Sequence, residues 1–364
     1  MDSAVLTRAV RFFQPFFARE CFIDFYGGEP LLAFAEIRQT VGQIEGLSEK
    51  RGIKAHYSLT TNGSLLNDDI LDFLEGREFS ILLSFDGLAQ DISRKKGSFD
   101  FLVSVIPKIL ERPRISLETN SVFTSETISY LSRSIELISR LGVRKIGVGF
   151  GHRRPWTSSS LLRQKKEMAL VRKYFRSHYQ KITDVPWADL GEQLEKAIHC
   201  CAAGLNKMAL AADGTLWGCF LFPQYFNGSK KIREAQKYCF GDVDTFIENH
   251  HTIYPRTMEN YAALRMDNFS TPDGLCAMCD EIEECWVCPL AAALTGRKIG
   301  RIPALVCGGA KMWRKEKRRL LEQFKKPNQP DKDAAANSLG GFPSQRELRR
   351  CVDNLRPPAV GIFP

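Results

Sequence analysis

Five short apolar or alternating runs in the first 150 residues, interleaved with helix-compatible segments, constrain this 364-residue chain most. The strand-like runs are Phe22–Tyr26, Ala55–Asn62, Phe79–Gly87, Arg114–Phe123 and Arg144–Gly151. Helical spacing covers Ser3 to about Ala18, Asp68–Glu75, Phe99–Leu110 and Thr124–Leu141. Mostly apolar strands alternating with helices predict an α/β chain with a parallel sheet covered on both faces. In such sheets ligands gather where strands end, because the loops that follow share one rim. The unusual residues fall at those ends: Gly27–Pro30, Thr60–Gly63 and Ser84–Gly87.

Helical patterns continue over Leu161–Ile182 and Leu190–His199. The net charge is +9, part of it in Lys311–Lys326, where Trp313, Leu320, Leu321 and Phe324 keep helical spacing. A solvated helix face accounts for that run better than an anionic partner, and no nucleic-acid motif supports such a partner. No stretch reaches the roughly 20 apolar residues that span a bilayer. The first residues lack a signal-peptide pattern, so a cytoplasmic protein is expected.

The segment Gly27-Gly28-Glu29-Pro30 closes the first strand. Glycine lets a ligand approach the backbone, Glu29 adds a carboxylate, and Pro30 stiffens the exit. An acceptor-rich turn of this kind suits a cation such as an ammonium group, with a merely strained turn as the alternative. Eleven cysteines carry the second signal. Ten lie beyond residue 199, and Cys276, Cys279, Cys285 and Cys288 form C-x2-C-x5-C-x2-C. Clustering of this kind in a reducing compartment argues for metal rather than disulfides. Soft thiolates suit iron–sulfur clusters, with zinc as the competing metal. Cys21 and Cys351 read as plain thiols.

Taken together, FYGGEPLL, LTTNGSLL and LSFDGLAQDISRKKGSFDF resemble the radical S-adenosylmethionine (SAM) superfamily, in its branch of peptide and protein maturases. The resemblance implies that Gly27, Gly28, Glu29 and Pro30 hold the methionine amino group of SAM. It places Asn62, Ser84 and Asp86 at strand ends lining the SAM and substrate pocket, and Arg94 within reach of SAM. Cys201-x12-Gly214-x4-Cys219, the Cys276–Cys288 pattern, Cys307 and the segment Phe240–Asn249 resemble the SPASM domain of those maturases. That domain holds auxiliary 4Fe-4S clusters. By the family's interleaved pattern, Cys276, Cys279, Cys285 and Cys307 bind one cluster, while Cys201, Cys219 and Cys288 bind another. The fourth ligand of the second is open between Cys200, Cys239 and an unligated iron.

The resemblance implies a partial (β/α)6 barrel lacking its first strand over residues 1–155, then a helical linker, 156–199. A SPASM domain with a C-terminal helix follows at 200–326. A flexible tail follows at 327–364, with at most a short helix around Gln345–Leu355. Only Cys21 precedes Gly27, whereas the family carries C-x3-C-x2-C there for the SAM-binding cluster. The expectation is a reading that starts one strand late, giving poorly soluble or inactive protein on its own. The implied function is generation of a 5′-deoxyadenosyl radical that modifies a peptide or protein, with flavodoxin or ferredoxin as electron donor. In the sulfatase-activating maturases an aspartate acting as base follows the cysteine equivalent to Cys219; here Phe220 stands there. A catalytically inactive iron–sulfur electron-relay protein is the alternative.

Overall fold

The computed structural model describes residues 3–325 apart from 152–155, 189, 191–195 and 228–231. A five-stranded sheet runs in chain order: β1 (Glu20–Phe25), β2 (Lys54–Thr61), β3 (Ser80–Ser84), β4 (Ser116–Phe123) and β5 (Ile146–Phe150). The pairs β2–β3, β3–β4 and β4–β5 are parallel, with Thr61 opposite Leu83, Ser84 opposite Asn120, and Val122 opposite Gly149. Their carboxyl ends therefore lie at one rim.

Connecting helices form where apolar residues recur at helical spacing. Helix Asp68–Glu75 buries Ile70, Leu71 and Leu74, and the Asn67 side chain accepts the Ile70 N–H at its start, which satisfies one of the helix's orphan donors. Helix Ser98–Leu110 buries Phe99, Leu102, Val105, Ile106 and Ile109. Along β2 to β4, Leu59, Thr61, Ile81, Leu83, Leu117, Thr119, Ser121 and Phe123 are buried. The alternating residues Ser58, Thr60, Leu82, Ser84, Glu118, Asn120 and Val122 are only half-buried. Burial of both sheet faces was the expectation; one face is instead partly open and mostly polar, because polar residues hold most of the alternate positions.

Other differences are local. The first helix spans Ser3–Phe13 and tightens into a 3-10 turn at Gln14–Phe16, where Pro15 cannot donate a helical bond. The pattern Thr124–Leu141 becomes a turn followed by helix Leu131–Arg140, and the basic pattern becomes helix Ser158–His178. Of the expected helix Leu190–His199, residues 191–195 lie outside the described residues, and Lys196–His199 are not helical. The expected tail, its short helix and Cys351 also lie outside them. Helix Ala304–Lys325 absorbs the basic run. Its buried Glu316 pairs with Arg172 and accepts from Arg319 Nη1 at 2.6 Å. Among the described residues no helix is long and apolar enough to cross a membrane.

The chain divides into two compact units. One contains Met1–Gly28, Ala33–His56 and Gln193–Met312. It has a core of Leu216, Phe222, Phe240, Phe246, Tyr261 and Leu290. An antiparallel sheet lies within it, in the order β6 (Ala209–Leu210), β7 (Thr215–Trp217), β8 (Cys239–Asp242). A small hairpin joins β9 (Ser270–Thr271) to β10 (Gly274–Leu275). The other unit contains Glu29–Leu32, Tyr57–Glu192 and the chain from Trp313 onward. Thus the N-terminal helix and β1 belong to the same compact unit as the cysteine-rich region.

The loop after β3 is locked by close packing. Gly87 has φ +57°, and a Cβ there would meet Ser134 Cβ at 2.5 Å and Ser134 Cα at 3.0 Å. Gly97 also has positive φ, +82°, but open space above it. Gly87→Ala should therefore cost about 2–4 kcal/mol, combining overpacking with left-handed strain, and Gly97→Ala only about 1 kcal/mol. Urea unfolding monitored by circular dichroism measures both; equal losses would contradict the packing account.

Candidate functional site

Glu29 is the best-organised group at the rim. Its Oε1 accepts the Thr61 hydroxyl at 2.7 Å and the Leu31 N–H at 3.2 Å, and its Oε2 accepts the Asn62 N–H at 2.8 Å. Three donors therefore fix the carboxylate against the end of β2. A carboxylate has about four acceptor sites, so one remains for a ligand's donor. Gly27 and Gly28 are exposed, and nothing lies within 4 Å of where either would carry a Cβ. Gly27 has φ +159°, a backbone conformation that itself favours glycine, whereas nothing in the surrounding packing requires one at Gly28. Pro30 begins a single 3-10 turn, Pro30–Ala33, that carries the chain away.

The other strand-end residues divide into two kinds. Asn62 is exposed, and its Oδ1 accepts the Ser64 N–H at 2.8 Å, so the side chain shapes the turn at Gly63. Ser84 closes β3 on the half-open face, opposite Asn120. Asp86, by contrast, is 1% exposed. Its carboxylate takes a two-pronged bond from Arg94, with Nε to Oδ2 at 2.8 Å and Nη2 to Oδ1 at 3.1 Å. It also accepts the Val122 N–H at 2.8 Å and the Ser93 hydroxyl. These bonds occupy the carboxylate and make Asp86 a tether. It holds the partly exposed Arg94 and ties the loop after β3 to β4.

The cysteines of the metal-like pattern belong to the other unit, and all the described ones are free thiols. Burial pushes the Cys201 thiol up, opposed by the Ala203 backbone N–H, and the thiols of Cys288 and Cys219 raise it further. Burial likewise pushes Cys276 up, reinforced by Cys285, Cys307 and Cys279, with Lys311 acting the other way. Cys201 thus lies near Cys219 and Cys288, and Cys276 near Cys279, Cys285 and Cys307. The resemblance implies interleaved sets built on these same neighbours. Chain order alone would have put Cys288 with its close neighbours, but it turns aside as the residue before helix Pro289–Gly296.

Among the described residues no three His, Cys, Asp or Glu side chains are gathered tightly enough for a single metal ion. A cubane spreads its thiolates further apart, and an all-sulfur donor set fits it. For the open fourth position, Cys200 Sγ lies 3.4 Å from Arg265 Nη1, and Cys239 Sγ accepts the Gly241 N–H at 3.3 Å.

Sequence reasoning missed two supports. Thr61 makes the shortest bond to Glu29, and its place within LTTNG was available as a signal. Tyr261 had none. It is 1% exposed and accepts the Gly218 N–H at 2.8 Å while its hydroxyl donates to the Tyr238 carbonyl at 2.6 Å. A Cβ on Gly218 would meet the Tyr261 ring at 2.7 Å. The ring therefore holds the backbone immediately before Cys219. Burial pushes the Tyr261 phenol far up, and the neighbouring Cys239, Cys201 and Cys219 act in the same direction.

No family model matches the chain. It is 21% identical over 322 residues to the radical SAM cyclopropyl synthase TigE of Paramaledivibacter caminithermalis, covering 84% of this chain and 61% of that protein. It is 34% identical over 118 residues to the cysteine-type anaerobic sulfatase-maturating enzyme of Clostridium perfringens, 31% of this chain and 32% of that enzyme. The chain thus spans about three fifths of the first relative's length and about a third of the other's. Among solved structures it is similar to native anSMEcpe with bound AdoMet and Kp18Cys peptide, at TM-score 0.67 and 16% identity. That match covers 89% of this chain and 91% of the other. A histidine-tagged anSMEcpe with bound AdoMet matches at TM-score 0.68 and 15% identity, over 97% and 89%. Over those aligned stretches the chain is similar in sequence to a radical SAM cyclopropyl synthase and to an anaerobic sulfatase-maturating enzyme, and its fold is that of the AdoMet-bound anSMEcpe structures.

Proposed function

We propose that this chain supplies the SAM-binding rim and the auxiliary-cluster domain of a radical SAM maturase that modifies a peptide or protein. The observation that carries the reading is the Gly27–Pro30 turn, with open space over two glycines beside a carboxylate already aimed by Thr61, Asn62 and Leu31. The AdoMet-bound neighbours, one of them also holding a peptide, support it.

Glu29 would hold the cationic amino group of SAM through its free acceptor position, and Gly27 and Gly28 would let the nucleotide approach the backbone. Arg94, fixed by Asp86, would present its guanidinium edge beyond that ion pair. Bound SAM, given one electron by a reduced iron–sulfur cluster, would break its S–C5′ bond to leave methionine and would so supply hydrogen-abstracting radical chemistry. The chain's part is orientation. Donors preset the Glu29 carboxylate, so little reorganisation accompanies binding. Cys276, Cys279, Cys285 and Cys307 would hold one auxiliary 4Fe-4S cluster, and Cys201, Cys219 and Cys288 the other. A small acidic electron carrier such as flavodoxin or ferredoxin would act as donor, consistent with the chain's net charge of +9.

Glu29→Gln removes the charge but keeps the shape. It should weaken SAM binding by at least about tenfold, as expected for loss of a charge-assisted hydrogen bond. Equilibrium dialysis with labelled SAM reads this, and unchanged affinity would remove Glu29 from the site. Anaerobic reconstitution should load about eight irons per chain into the SPASM domain. Cys279→Ala with Cys285→Ala should remove about half, and so should Cys201→Ala with Cys219→Ala. Loss of all iron on removing either pair would contradict two independent clusters. Tyr261→Phe leaves the Gly218 N–H without its acceptor and should lower iron only in the group of Cys201, Cys219 and Cys288.

A further inference from the structure

One cavity of the cysteine-rich unit gathers cations and hydrogen-bond donors without an acid. Its volume is about 420 Å³, and it lies where the loop after helix Pro289–Gly296 runs beside the β9–β10 hairpin. Small-molecule sites occupy roughly 300–1,000 Å³. Lys298, Gly300 and Arg301 line the cavity from the loop, and Asn268, Ser270 and Thr271 from the hairpin side. No carboxylate lines it. Lys298 and Arg301 are exposed, and among the described residues neither engages in an ion pair or a side-chain hydrogen bond.

The backbone fixes this wall. The Ser270 N–H donates to the Gly300 carbonyl at 3.0 Å, and the Ile302 N–H to the Ser270 carbonyl at 2.7 Å, which stitches loop to hairpin. The Arg301 N–H reaches back to the Lys298 carbonyl at 3.4 Å, closing a turn over Gly300, whose φ of +81° suits glycine. Arg297, just before the turn, is also left-handed, with φ +60°. Between these two reversals the N–H groups of Lys298, Ile299 and Gly300 have no acceptor among the described residues. Successive N–H groups released by turn geometry make a concavity suited to anions. Two cations at one cavity repel each other and gain from a shared anion.

We propose that this cavity binds an oxyanion, a phosphate ester or a carboxylate, carried by a small molecule. The proposal stands apart from the maturase reading, since it uses neither the glycine turn nor the thiols. The planar guanidinium of Arg301 can meet two oxygens of one anion, and Lys298 adds a point charge. The loop N–H groups and the Ser270 hydroxyl supply neutral donors around them. A water molecule takes about 30 Å³ in the liquid, so a cavity of about 420 Å³ holds an attached organic group beside the anion.

Isothermal titration calorimetry on the full chain, purified without oxygen, tests this with inorganic phosphate, glycerol phosphate and succinate, and with glycerol as the neutral control. At least one anion should bind saturably at millimolar concentration or below, and glycerol should not. Binding of phosphate and glycerol phosphate without succinate assigns a phosphorylated ligand; binding of succinate alone assigns a carboxylate. Lys298→Gln and Arg301→Gln should each weaken binding about tenfold, as loss of a charge-assisted hydrogen bond does, and high salt should weaken it too. Lys173→Gln, at an exposed lysine in the other unit, should leave affinity unchanged. Crystals of the unaltered chain soaked in tungstate give a reading that needs no variant: an anomalous peak within reach of Lys298 and Arg301. The proposal is overturned if none of the three anions binds saturably, or if affinity survives both loop substitutions. An equal loss in Lys173→Gln, or tungstate bound only elsewhere, overturns it as well.

Discussion

Because β2 to β5 run parallel, their carboxyl ends meet at one rim, and each loop leaving that rim needs its own polar ties. Two carboxylates supply them in opposite ways. Glu29 is fixed by three donors yet keeps one acceptor position toward the open side. Asp86 is enclosed and occupied by Arg94, Ser93 and the Val122 N–H. The first arrangement leaves an acceptor position for the ligand that the proposed function assigns to it. The second uses its charge to hold another group in place. A buried carboxylate without those partners would be costly, so the loop geometry after β3 and the Asp86–Arg94 pair depend on each other.

The cysteine-rich unit solves a different problem. In the proposed function the thiols hold auxiliary clusters, so they must be brought together without forming disulfides and without collapsing onto one ion. The structure does this with short turns, helix starts and the Tyr261 hydroxyl rather than with long regular elements. Cys288 leads into one helix, Cys307 lies in the first turn of another, and Cys219 follows a glycine pinned by Tyr261. Rigid placement reduces the reorganisation that cluster binding would otherwise require.

Much of this was legible in the sequence, for reasons that differ by residue. Strand periodicity located β2 to β5 within a few residues, because Leu59, Ile81, Leu83 and Leu117 alternate with less buried neighbours as a half-buried sheet demands. That same alternation should have warned that one face stays partly open; the apolar end of each run hid it. The expected helical pattern does not extend over Lys196–His199, because apolar spacing alone does not fix a helix without tertiary support. Cysteine spacing separates Cys285 from Cys288 only through resemblance, since C-x2-C-x5-C-x2-C by itself would have kept them together. The tie of Asp86 to Val122, Thr61 as its counterpart at Glu29, and Tyr261 under Cys219 depend on contacts across 32 to 43 residues of chain. No local pattern encodes these.

The claim most open to direct challenge is the sorting of seven thiols into two separate sites. Anomalous X-ray diffraction at the iron edge, on crystals of the full chain grown without oxygen, addresses it in one measurement. The account predicts two distinct iron peaks, one enclosed by Cys276, Cys279, Cys285 and Cys307 and the other beside Cys201, Cys219 and Cys288. A single peak shared by both groups, or signal at the zinc edge in place of iron, would contradict it.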